Sequence, residues 1–383
     1  MSTTLGQVVA ALEAVYPPKT AESWDAVGLV CGDPAEPVTR VLCVVDVTET
    51  VVDEAIEVGA ELIVAHHPLM LRGVTGVPAN DPKGRLVHRL IRAGVALFSA
   101  HTNADAADPG VSDALAALLG LTVTGPLSPN PVPPLDVLTT FVPHADAKDV
   151  LAALHAAGAG RIGDYRDAAF TVAGTGQFRP VDGANPAIGT LGTLEHVDET
   201  RVEVVLERRL RNQVVTALRA AHPYEEVALN LHEMADLPST TGIGRIGELP
   251  APETLRAFTQ RVADALPETV WGVRAAGDPD RMIQRVAVCG GAGDSYLTAA
   301  TKAGVDAYVT SDLRHHPASD HLAQGPDAPA LVDVAHYASE WPWCEQAAGV
   351  VRAAFGGTVE ALVSTRRTDP WTVGATSRTR RTN

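Results

Sequence analysis

Nine residues at 126–134, PLSPNPVPP, divide this chain into parts that must fold differently. Five of the nine are proline. Proline lacks an N–H and fixes φ, so at that density neither a helix nor a central strand continues. Upstream the pattern alternates. Leu5–Val15 has helical spacing, Val41–Val47 (VLCVVDV) reads as a buried strand, and Glu49–Val58 returns to helix. Leu62–Ala65 and Val95–Ala100 are further short apolar runs, separated by a helix over Lys83–Ala93 that Gly94 closes. Strands alternating with helices imply a mostly parallel sheet.

Downstream the character changes. Val137–Val142 reads as a strand, Ala147–Ala157 as a helix and GAGRIG (158–163) as a turn. Strands over Asp167–Gly174 and Arg201–Leu206, a helix near Leu210–Ala221 and a strand near Val227–Leu231 follow. The order βαββαβ is that of a small ferredoxin-like unit. After a second break near Leu237–Thr241 the first pattern resumes. Arg285–Cys289, Ala307–Thr310 and Leu331–Val334 read as strands, and Tyr296–Ala303 and Glu340–Ala354 as helices. The expected fold class is therefore α/β. One mostly parallel α/β domain, residues 1–127 and 240–365, is split by an inserted α+β domain at 135–236. Insertion at an exposed loop costs a fold little. Residues 366–383 are expected to be a solvated tail, with Arg366, Arg367, Arg378, Arg380 and Arg381 among small polar residues.

Composition narrows the partners. A hydrophobic share of 46% can fill real cores. A formal net charge of −16 repels phosphate backbones, which argues against nucleic acid. Cys31, Cys43, Cys289 and Cys344 form no CxxC, and free thiols suit a reducing cytoplasm. The N-terminal segment carries acid and proline without a basic start and a long apolar run, so it does not read as a signal peptide. No stretch nears the roughly 18 uncharged apolar residues of a membrane span. The expectation is a cytoplasmic protein without a membrane partner.

The chemistry gathers at strand ends. His66 and His67 follow the strand Leu62–Ala65, and neighbouring strand residues point to opposite sides. His101 follows the next strand, with Asp105 four residues on. His336 follows Leu331–Val334, with Glu340 again four residues on, which in a helix places both on one face. In open α/β sheets ligands bind beyond the strands' carboxyl ends. Imidazole suits zinc, iron, copper and nickel, and carboxylates can bridge two ions. Plainer roles exist for each residue taken alone. His66 could be a core histidine and His67 a surface one; Asp105 or Asp108 could cap the helix Val111–Leu119, and Glu340 could answer a helix dipole. Three such pairs at three equivalent positions point instead to a divalent metal site.

The same segments carry a family resemblance. SWDAVGLVCGD (23–33), VAHHPL (64–69), SAHTNADAA (99–107), GIGRIGEL (242–249), VAVCGGAGDS (286–295), AYVTSDLRHH (307–316) and DVAHYASEWP (333–342) resemble the NGG-one-interacting-factor-three-like family, also known as GTP cyclohydrolase I type 2 homologues or dinuclear metal centre proteins. The inserted segment, with AGAGRIGDY (157–165), GTGQFRP (174–180), GANPAIGTLGTLE (183–195) and AHPYEEVAL (221–229), resembles the PII/CutA-like insert of longer members. The resemblance implies two divalent ions per subunit, with zinc, iron or manganese as candidates, held by His66, His67, Asp105, His336 and a bridging Glu340. His101 matches a position that coordinates in some members. It also implies a toroidal homohexamer. Ser311 departs from the usual glycine before the aspartate.

Two functions fit. Paired ions can drive metal-assisted hydrolysis of a small, nucleotide-like substrate, with Asp312, His315 and His316 at another strand end as acid or anion anchor. The other is a non-catalytic, metal-dependent regulatory or binding module. Turnover separates them, since a catalytic site keeps a coordination position open.

Overall fold

The computed structural model describes residues 2–375; Arg378, Arg380 and Arg381 of the expected tail lie outside the described residues. The chain forms two compact units, Met1–Asn130 with Ser239–Asn383, and Pro131–Pro238.

The discontinuous unit contains two sheets where the sequence pointed to one. The first has the order β1 (Gly28–Cys31), β4 (Ala96–Ser99), β3 (Leu62–Ala65), β2 (Arg40–Val44), β15 (Glu360–Val363). The second runs β11 (Val273–Ala276), β14 (Ala330–Val334), β13 (Ala307–Ser311), β12 (Met282–Ala292), β10 (Gly242–Thr254), β5 (Thr122–Pro129). Their centres are parallel: β2, β3, β4 and β15 in one, β12, β13 and β14 in the other. The flanks are antiparallel, at β1, β11, β10 and β5. The expectation of a mostly parallel sheet is thus corrected to two mixed sheets. The antiparallel strands escaped notice because Gly and Pro interrupt them, as in β10, GIGRIGELPAPET.

The proline run needs a second correction. β5 extends to Pro129, with Pro126 and Pro129 paired to Arg245 and Gly242 of β10. β5 is an edge strand, and an edge tolerates residues that cannot donate. The division falls after Asn130, inside the run.

Helices cover both sheets: α1 (Leu5–Val15), α2 (Glu49–Val58), α3 (Pro82–Ala93), the single turn α4 (Thr102–Ala106), α5 (Val111–Leu118), α8 (Leu255–Ala265), α9 (Leu297–Ala303), α10 (His315–Leu322) and α11 (His336–Phe355). Local signals account for the ends. Asp81 accepts the Gly84 N–H to cap α3, Pro82 takes the first helical position, and Gly94 closes it with φ +69°. α11 serves both sheets. Trp343, Cys344, Ala347 and Val351 pack with α1 and the first sheet, while Ala338 packs with α8 and the second. It begins a turn before the expected Glu340 and continues through Pro342. The helix is held by burial on two sides, which offsets the roughly 3 kcal/mol an interior proline costs.

The tail expectation fails between Arg366 and Asp369. Ser364 and Asp369 are buried, and the Thr368 hydroxyl donates to Asp46. Among the described residues no helix is long and apolar enough to cross a membrane.

The second unit has β6 (Leu135–Pro143), α6 (Ala147–Ala156), β7 (Phe170–Phe178), β8 (Glu195–Glu207), α7 (Arg211–Ala221) and β9 (Leu229–Glu233). Its antiparallel sheet has the order β7-β8-β6-β9. Leu138, Val142, Val202, Val204 and Leu206 face Val150 and Leu154 of α6 and Val214 and Leu218 of α7.

Candidate metal centre

The carboxyl ends of strands from both sheets of the discontinuous unit meet at one place. β3 delivers His66 and His67, β4 delivers His101, and β14 delivers His336 as the first residue of α11. Glu340, one helical turn on, is 3% exposed. Its Oε1 lies 3.1 Å from His336 Nε2 and 3.5 Å from His66 Nε2, and its Oε2 lies 3.0 Å from His67 Nε2. Asp105, on α4, has Oδ1 3.8 Å from His66 Nε2. His66, His67 and His101 form one trio, and His67, His336 and Glu340 another, whose nitrogen and oxygen atoms lie within 4.8 Å of one another. All six residues that the sequence singled out as ligands are therefore in one cluster.

Every imidazole turns the same nitrogen away from the centre. The Nδ1–H of His66 donates to the Ala100 carbonyl at 2.9 Å, that of His67 to Asp46 at 2.7 Å, that of His101 to Asp25 at 2.8 Å and that of His336 to Asp312 at 2.6 Å. This fixes the tautomer and leaves four Nε2 atoms facing inward, the arrangement that raises a histidine's strength as a metal ligand. Asp25 and Asp46 were not singled out in the sequence. An acid ending a buried strand, as in VLCVVD, is the signal that could have found Asp46. Asp312, expected beside the substrate, instead holds His336. His315 and His316 stand exposed on the first turn of α10 with their rings 5.1 Å apart, and the structure does not bring them to the cluster.

Charge in the cluster is balanced without being comfortable. Burial disfavours the charged forms of His67 and His336, but Glu340 outweighs it, aided by Asp46 and Asp312 respectively, and holds them up to about 10 and about 11. Burial likewise opposes ionised Glu340, yet His67, His336 and His66 keep it well below the usual carboxylate range. Asp105 is pushed up to about 6, mainly by burial. His66 Nε2 and Glu340 Oε2 are buried without a well-aligned hydrogen bond, their nearest polar neighbours being other atoms of the cluster at 3.5 and 3.0 Å. Buried polar atoms in proteins are nearly always satisfied. Two such atoms facing one centre, among soft nitrogen and hard oxygen donors, fit a divalent cation.

The backbone of β12 closes one side. Gly291 has φ +70°, and a Cβ there would stand 2.4 Å from Glu340 Oε1. Its N–H is held by the Ser339 hydroxyl at 2.9 Å. Gly291→Ala is expected to cost roughly 1–3 kcal/mol through the strained φ and to push Glu340 off the imidazoles. Unfolding curves and bound metal measured on the variant would refute this if both matched the parent.

The opposite side is open. His67 and His336 keep 24% and 35% of their side chains exposed, against 0% for His66. They edge a cavity of about 620 Å³ whose walls include Lys83, Trp271 and Trp371.

Known proteins share this sequence and fold. The sequence pattern of the Duf34/NIF3 (NGG1p interacting factor 3) family matches residues 3–370. A Mycobacterium bovis protein named GTP cyclohydrolase 1 type 2 homolog is 55% identical over 97% of each chain. A Bacillus subtilis protein of the same name is 41% identical over 87% of this chain and 88% of its own. The crystal structure of a Bacillus cereus protein related to NIF3 superposes with a TM-score of 0.67 at 34% identity, covering 97% of this chain and 99% of that one. The matched segment takes in both halves of the discontinuous unit and all six clustered residues: this chain belongs to the Duf34/NIF3 family.

Proposed function

We propose that the chain holds two divalent ions among His66, His67, His101, Asp105, His336 and Glu340, and uses them to hydrolyse a small, nucleotide-like substrate. The observation that carries this reading is the open flank of the cluster. A purely structural site is closed on all sides by protein donors, whereas a catalytic one leaves room. Here the cavity reaches His67 and His336 directly. Glu340 offers its two oxygens to different imidazoles, which suits it to serve both ions. The ions would supply Lewis acidity, readying water for attack at neutral pH and polarising the bond attacked.

The chain's own groups complete the design. Trp343, fully buried, packs with its ring 5.2 Å from the His66 ring. Trp271, with the Arg274 guanidinium 4.4 Å over its ring, and Trp371 give the cavity flat apolar surfaces suited to a planar base. Lys83 offers a positive charge to a phosphate. The relatives' name supports a nucleotide as the first substrate to try. The test is turnover of nucleoside triphosphates by metal-loaded protein, with metal-free protein as the blank. A nucleotide that binds in the cavity of the loaded protein and survives intact would replace this reading with the non-catalytic one. The βαββαβ order of the second unit supports reading it as PII/CutA-like, and the family resemblance supports a homohexamer, which sedimentation would test.

Metal uptake has an expected pH signature. Without metal, His67 and His336 hold protons at neutral pH, since their values lie near 10 and 11. A ligating nitrogen must give its proton up. Binding at pH 7.5 should release protons, and affinity should climb as pH rises from neutral towards those values. Calorimetry in two buffers of different ionisation heat measures the release. Identical heats in both would contradict the assignment.

A further inference from the structure

The second unit contributes no residue to the metal centre, yet it has a cavity of its own, of about 710 Å³. That volume is in the range that small organic ligands fill. α6 and α7 cover one face of its sheet, and among the described residues of this unit no helix lies on the other. On that free face Phe141, Arg201 and Val172 lie side by side across β6, β8 and β7. Val181, Pro186 and Ile188, from the connection between β7 and β8, form the facing wall. Apolar residues make up most of the lining; its charged members are Arg179, Glu199, Arg201, Glu225 and Glu226, and of these five Glu199 alone is buried.

Glu199 lines this cavity although it is only 8% exposed. The Tyr224 hydroxyl donates to its Oε1 at 2.9 Å. Its Oε2 lies against Gly176, where a Cβ would come within 2.1 Å, so a side chain there would displace the carboxylate. Among the described residues Oε2 has no hydrogen-bond donor. The nearby cations are committed elsewhere: Arg201 pairs with Glu203 at 2.7 Å, and Arg179 donates to the Gly192 carbonyl. A carboxylate held on one oxygen and open to the cavity on the other is placed to accept from a donor carried by a ligand.

We propose that this cavity binds a small organic cation, an amine on an apolar body of about one ring, whose N–H donates to Glu199 Oε2. The apolar walls take the body, and the carboxylate selects the charge. Binding here is independent of the metal centre and of the reaction proposed for it.

The test uses the full chain and two probes matched in shape, 4-fluorophenethylamine and 4-fluorophenylpropionate, followed by fluorine NMR. The amine's line should broaden and shift with added protein, and the acid's should not. Glu199→Gln keeps the shape and the Tyr224 bond but loses the charge, and should weaken amine binding about tenfold or more, as the loss of a charge-assisted hydrogen bond does. Gly174→Leu fills the cavity from a strand position where a new Cβ meets nothing within 4 Å, and should abolish binding. Unchanged metal content and melting would certify both variants as folded. The proposal falls if the amine fails to bind, if the acid binds as well as the amine, or if either variant binds like the parent. The comparison of amine with acid on the unaltered chain decides the matter even if a variant does not fold.

Discussion

Glu340→Ala is expected to empty most of the metal centre while leaving a folded protein. Glu340 reaches three of the imidazoles, through Oε1 to His66 and His336 and through Oε2 to His67. Losing a partner that only orients a ligand costs roughly 10- to 100-fold in metal affinity. Losing Glu340 should cost more, because it removes donor atoms themselves. Asp46→Asn provides the comparison, since within the cluster it touches only His67 Nδ1, its other oxygen accepting from Thr368, and it should fall within that smaller range. The fold should survive Glu340→Ala, because α11 is held by Trp343, Cys344, Ala347 and Val351 in the first sheet's core. The variant also removes the charge that keeps His67 and His336 protonated without metal, so proton release on any residual uptake should shrink. Elemental analysis that finds the variant as metal-rich as the parent would defeat the assignment.

The largest expected loss of stability lies elsewhere, at Arg245. Its side chain is 1% exposed. Its guanidinium makes a two-pronged pair with Asp113, at 2.9 and 2.8 Å, and donates to the carbonyls of Gly242, Gly244 and Ala107. Every donor is thus used, and β10 is tied to α5 through Asp113 and to Ala107 just after α4. Arg245→Met leaves Asp113 without its cation and three carbonyls short of a donor. Removing one partner of a buried pair costs about 3–5 kcal/mol. At roughly 2–4 °C per kcal/mol for a large domain, melting should fall by about 10 °C. Adding Asp113→Leu to Arg245→Met should recover part of the loss, because the stranded charge goes with it. A single variant within 1 °C of the parent would show that the network carries no such energy.

Arg245 also marks what the sequence could and could not convey. It lies in GIGRIGEL, a segment legible as a family signature yet silent as structure, since its glycines mask a strand. Where a strand is a short, purely apolar run, as at Leu62–Ala65, the pattern located it to the residue. Antiparallel β10 and β11 left no such mark, so a second sheet went unread. The clustered histidines and carboxylates were legible because strand ends are legible, and because His and carboxylate recur there at fixed spacing. Their outer partners were not, since Asp25 and Asp46 become partners only when segments 76 and 21 residues apart meet. Asp312 was legible as a site residue but not in its role, which depends on where its oxygen points. The packing of Thr368 onto Asp46 joins positions 322 residues apart, and no local pattern encodes that.

The first sheet has a further consequence for how the protein is made. β2 is complete at Val44, but its outer neighbour β15 arrives only at Glu360–Val363. The ribosome adds roughly 5–20 residues per second, so the outer edge of β2 waits some ~15–60 s for its partner. Through that interval a short, apolar, hydrogen-bonding edge is open to any other strand that passes. Crowding of nascent chains, high expression and C-terminal truncation should all therefore favour aggregation through this edge, and a chain released a few residues before Glu360 should be far less soluble than one released a few residues after Val363.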